Sequence, residues 1–155
     1  MRRKEREITD IATIESIIRR SDTCRVALVD GDEPYLVAMN FGYLNGDKPL
    51  VYFHCAPEGR KLDIIRKNNK AAFLFDTDHL LVGGEKACDF TMKYSSVAGK
   101  GILSVVTSNE ERNLGMNCIM KQYTGNGDYS FSPSTFSRTT ILKLEIQEMS
   151  GKVVK

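Results

Sequence analysis

The stretch from Leu50 to Ile65 constrains this chain more than any other. Leu50, Val51, Tyr52 and Phe53 run as an apolar strand into His54-Cys55-Ala56-Pro57-Glu58-Gly59-Arg60-Lys61, and a helix opens from that same turn. The helix is expected from about Pro57, a residue suited to the first helical position, to Asn68, where Asn68-Asn69 can end it in a left-handed conformation. Arg60 and Lys61 then fall in or near its first turn, where free N–H groups and the positive end of the dipole repel cations. An anion resolves that conflict, and strand-to-helix turns often hold phosphates.

Around this one strand-helix step, the chain reads as strands joined by hairpins. Thr9 or Asp10 can cap a first helix in which Ile11, Ile14, Ile17 and Ile18 recur at helical spacing. Strands are expected from Cys24 to Val29, from Tyr35 to Leu44, from Leu50 to about His54, and from Ala71 to Asp76. One or two more lie between Lys86 and Val106, and a final alternating strand runs from Thr139 to Met149. Asn45-Gly46-Asp47-Lys48-Pro49 is a hairpin signal, because Asn-Gly readily takes positive φ. Ser108 is placed to cap a helix from Asn109 to Tyr123, and Gly125 to Ser134 reads as a flexible loop. Six or seven strands with few, peripheral helices define a mainly β (α+β) fold, an antiparallel barrel, closed or split. A domain this small also gains by dimerising over an apolar face.

The 155 residues suffice for one core, so a single domain over 1–155 is expected. The 22 basic and 20 acidic side chains nearly cancel, so no broad field draws the chain to nucleic acid or a membrane surface. Small molecules or another protein chain are the expected partners. Cys24, Cys55, Cys88 and Cys118 are widely spaced, which fits reduced thiols in a cytoplasmic protein and no metal site. The charged start Met1-Arg2-Arg3-Lys4-Glu5-Arg6 is not followed by an apolar run that would make it a signal peptide or a membrane span.

Three segments can carry chemistry. Lys61 lies along the apolar stripe of its helix, so its ammonium either snorkels to water or faces a phosphate, with Arg60 offering a planar fork beside it. Tyr94-Ser95-Ser96-Val97-Ala98-Gly99-Lys100-Gly101 places hydroxyls and small residues where strands usually carry Val and Ile. That pattern marks either a bulge or edge, or a surface a flat ligand approaches. In Val37-Ala38-Met39-Asn40-Phe41-Gly42-Tyr43 an apolar strand is broken by Asn40 and Gly42, either as an irregular strand end or to read the polar edge of a heterocycle. His54 and His79 are the two histidines, and His54 ends the strand before the turn. No serine, cysteine or carboxylate pair has the local pattern of a hydrolase, so no catalytic residue is assigned.

Taken in order, these segments resemble the flavin-binding split-barrel superfamily related to pyridoxamine 5'-phosphate oxidase, most closely its nitroimidazole-resistance branch. The matching pieces are Pro34 to Tyr43, then Tyr52 to Lys61 followed by Leu62 and Ile65, then Tyr94-Ser95-Ser96-Val97 with Gly101. The His-x-Ala-x-x-Gly-x-Lys piece is the most specific. The resemblance implies a homodimer with FMN at the subunit interface. It implies that Val37, Met39 and Asn40 line the ring, that Phe53 and His54 flank ribityl or ring, that Arg60 and Lys61 take the phosphate, and that Ser95 and Ser96 add hydroxyl contacts. Many relatives carry proline where this chain has Ala38.

The resemblance further implies an FMN-dependent oxidoreductase reducing a small electron-poor substrate such as a nitroaromatic. NAD(P)H would dock transiently, since no Gly-x-Gly-x-x-Gly follows a strand. The alternative is a non-catalytic binder of flavin or haem that stores, senses or protects its ligand. A third reading takes Tyr35, Phe41, Tyr43, Tyr52 and Phe53 as a stacking platform for single-stranded nucleic acid, and the near-neutral charge counts against it.

Overall fold

The computed structural model describes residues 4–154, so the arginines at positions 2 and 3 of the basic N-terminal run lie outside the described residues. Eight strands are described: β1 Glu7–Ile8, β2 Cys24–Asp30, β3 Glu33–Met39, β4 Phe41–Leu44, β5 Leu50–Cys55, β6 Lys70–Val82, β7 Thr91–Val105 and β8 Thr140–Val154. They pair in the order β3-β2-β6-β7-β8-β5-β4, with β1 also on β8. Every pairing is antiparallel. The two ends of this order are consecutive in sequence, because Met39 of β3 passes through Asn40 into Phe41 of β4. The sheet therefore curls until its edges meet at one residue, which makes it a split barrel.

The stretch from Tyr35 to Leu44 is thus two strands on opposite edges, not one. Alternation runs unbroken through the junction, with Met39 and Phe41 buried on either side of exposed Asn40. β6 and β7 are also longer than their apolar cores. β6 continues past Asp76 because its polar residues find partners: Arg25 pairs with Asp76, His79 lies 3.0 Å from Asp76, and Arg20 lies 2.8 Å from Asp78.

Inside the barrel, Val26, Leu28, Val51, Phe53, Phe73, Phe75, Val97 and Leu142 form the core. Helix α1, Ile11–Arg20, closes one end with Ile14, Ile17 and Ile18, capped by Asp10 through a 2.9 Å bond from the Thr13 N–H. Helix α2, Arg60–Lys67, adds Leu62, Ile64 and Ile65. Helix α3, Asn109–Thr124, capped by Ser108, lies outside β4 and β5 and packs Ile119 with Tyr52 and Ile141 in a second small core. Gly42 lets it approach: a Cβ there would collide with the backbone of Cys118 and Ile119. A short helix, α4, Pro133–Ser137, replaces part of the expected loop, with Ser132 as its cap and Pro133 at its first turn.

On the other flank, the outward face stays open. Leu36, Val29 and Leu74 are 68%, 44% and 37% exposed, and Ala38, Ala72 and Ala98 are exposed beside them. Antiparallel register sets Leu36 against Ala27, Ala27 against Ala72, and Leu74 against Ala98, so these residues share one apolar face. No helix among the described residues is long and apolar enough to cross a membrane.

Candidate functional site

β5 ends at Cys55, and Ala56-Pro57-Glu58-Gly59 then turns the chain into α2. The helix begins at Arg60, later than Pro57, because Gly59 at φ 135° is its cap, a backbone conformation that side chains resist. The Gly59 carbonyl accepts from the N–H groups of Leu62 and Asp63 at 2.9 and 3.4 Å. Those of Arg60 and Lys61 precede the first intrahelical bond and have no partner within the helix. The helix ends at Asn68 in an extended conformation, φ −145°, not a left-handed one.

The two cations part company. Arg60 turns back to β2, its Nε 3.1 Å from Asp30 Oδ2 and its guanidinium 5.5 Å from the centre of the Tyr35 ring. Lys61 is half-buried and faces a cavity of about 410 Å³. β3 and its junction supply one wall with Val37, Ala38, Met39 and Asn40. The end of β5 supplies His54, Cys55 and Ala56, and the chain between α4 and β8 supplies Arg138 and Thr139.

Two cations and no carboxylate line this space, so it favours an anionic guest. β3 is a sheet edge, so half of its backbone N–H and C=O groups have no strand partner and are available to a ligand. Burial pushes the Cys55 thiol up while the charge of Lys61 pulls against it, leaving a protonated thiol rather than a nucleophile.

Of the residues expected at the site, Val37, Met39, Asn40, His54 and Lys61 come together on this cavity. Phe53 points the other way, fully buried in the core and paired with Phe41 and Leu142. Ser95 and Ser96 are buried on β7 opposite Thr77 and Asp76, away from the cavity. Ser96 shares the outward face that carries Ala38 and Leu74. Arg138 lines the cavity as well. The pairing of Cys55 with Thr140 brings the start of β8, and Arg138 just before it, beside the turn that opens α2.

Residues 10–153 match the family model described as pyridoxamine 5'-phosphate oxidase. The chain belongs to that family. Within its fold, a candidate 5-nitroimidazole antibiotic resistance protein from Bacteroides thetaiotaomicron is 33% identical, with a TM-score of 0.82 over 95% of this chain and 86% of that one. The flavocytochrome Anf3 from Azotobacter vinelandii shares the fold at 16% identity, with a TM-score of 0.82 over 100% of this chain and 72% of that one. An FAD- and haem-binding protein from Mycobacterium smegmatis does so at 15%, with a TM-score of 0.81 over 97% and 74%. A search of curated proteins gives no match. For a member of the pyridoxamine 5'-phosphate oxidase family, the cavity fits a flavin phosphate: its volume lies in the usual ligand range, and its rim combines an apolar edge strand with Lys61 at a helix start and Arg138 ahead of β8.

Proposed function

We propose that the chain is an FMN-binding flavoprotein, an FMN-dependent oxidoreductase that reduces a small electron-poor substrate such as a nitroaromatic, and that it works in the cytoplasm as a homodimer. The observation that carries this reading is the cavity itself, with Lys61 at the first turn of α2 facing the edge strand β3 and no carboxylate between them. Lys61 and the free N–H groups of that turn would hold the phosphate. Val37 and Met39 would seat the ring, and Asn40 with the β3 edge would meet its polar rim. When bound, FMN supplies the redox chemistry, hydride taken from NAD(P)H and passed to the acceptor.

The homodimer is supported by the uncovered face of β3, β2, β6 and β7, since apolar surface of that kind usually marks an interface. Its member Ala38 also lines the cavity, so a second copy seated there would border the ligand.

An absorbance spectrum after reconstitution with FMN, followed by NAD(P)H consumption with a nitroaromatic, tests the reading. Lys61→Ala is expected to weaken FMN binding by about 1.5–3 kcal/mol, the range for a hydrogen bond to a charged group. Wild-type protein that never acquires flavin bands would sink the proposal. Haem bands would favour the second reading, a non-catalytic haem or flavin binder, for which His54 on the cavity wall offers a nitrogen ligand.

A further inference from the structure

Arg138 sits in a segment tied to α3. Arg112 of α3 donates to the carbonyls of Phe136 and, at 2.9 Å, Thr139, and its guanidinium lies 4.8 Å from the centre of the Phe136 ring. Residues on both sides of Arg138 are therefore pinned. Its own Nε donates to the Ser134 carbonyl at 3.3 Å, and no carboxylate pairs with it among the described residues. Arg138 lines the cavity together with Lys61, and no carboxylate is among the residues that line it. Arg60, by contrast, already has Asp30 and the Tyr35 ring.

Two cations facing one space without a counter-charge repel each other, and a phosphate relieves both. A guanidinium adds a two-pronged grip that an ammonium lacks. Resting on the FMN reading above, we propose that Arg138 rather than Arg60 is the second cation of the phosphate clamp, and that Arg112 is the positioning residue that aims it. The clamp then joins the start of α2 to the entry of β8, two segments far apart in sequence.

Equilibrium dialysis with FMN and with riboflavin, which lacks the phosphate, tests this. Arg138→Ala should weaken FMN binding about 10- to 100-fold and leave riboflavin nearly unchanged, while Arg60→Ala should leave both nearly unchanged. Arg112→Ala should mimic the FMN-only loss, and the double variant Arg112→Ala/Arg138→Ala should be no worse than Arg138→Ala alone, the sign of a shared path. Wild-type binding of FMN with Arg138→Ala unaffected, or equally impaired for both flavins, overturns the clamp alone. A loss that falls on Arg60→Ala does the same. Wild-type protein that binds neither flavin overturns the flavoprotein reading and the clamp with it.

Discussion

On β4, β5 and the start of β8 the outward side chains lie under the chain's own α3, whereas on β3, β2 and β6 comparable apolar side chains stay open. Tyr52 and Ile141 are 1% and 0% exposed beneath the helix, and Leu36 across the barrel is 68% exposed. Both flanks carry large apolar side chains on their outward faces. What differs is whether a helix follows in the right place, and Gly42 makes that possible on one side only by letting α3 approach the strand. An apolar sheet face without a helix of its own requires some other cover, and a second copy of the chain is the proposed one.

The comparison breaks most visibly if the covered flank is hollowed out. Ile141→Ala should cost about 2–5 kcal/mol in denaturant unfolding, as for other buried large-to-small changes. A loss as small as a surface change would mean α3 adds little. Leu36→Lys should shift folding stability by no more than about 0.5 kcal/mol. Its effect should instead appear as a halved mass in sedimentation; a wild-type monomer, or a variant that still dimerises, would refute the use proposed for the open face.

The smallest effect is confined to alkali. Burial and the neighbouring Glu111 carboxylate, 3.3 Å from its hydroxyl, raise the Tyr52 pKa above that of a free tyrosine. Below pH about 10 folded and unfolded chains both keep this proton, and above it the unfolded chain releases it first. Stability should therefore fall as pH climbs beyond that point, and Tyr52→Phe should flatten the fall in urea midpoints. An identical alkaline slope in the variant would show that the covered flank does not hold that hydroxyl neutral.

Much of this architecture is legible in the residues. Asp10 and Ser108 announce their helices because a side-chain oxygen before an apolar or acidic first turn satisfies a free N–H. Asn45-Gly46 marks the hairpin between β4 and β5. Asn40 and Gly42 interrupt the apolar pattern, but that the interruption divides two strands on opposite edges is not legible, since β-favouring residues flank it on both sides and only closure of the sheet separates them. The same holds for the extension of β6, whose polar residues look like loop until their ion-pair partners are known. Ser132-Pro133 did carry a helix-start signal, overshadowed by the loop residues around it. At the candidate site, the local conflict at Arg60-Lys61 pointed to the turn. Local pattern could not tell which cation faces inward, because Asp30 comes from another strand, and Arg138 reaches the cavity only through the pairing of β5 with β8.

The junction at Asn40 sets one last condition. Side chains alternate without interruption from Met39 to Phe41, and strand geometry has a period of two. Adding or removing a single residue there would turn Phe41 and Tyr43 inside out and drive Gly42's neighbours into α3. The loop after Leu44 can take an added residue without that inversion, whereas at the barrel's seam the count of residues is fixed by the alternation on either side of it.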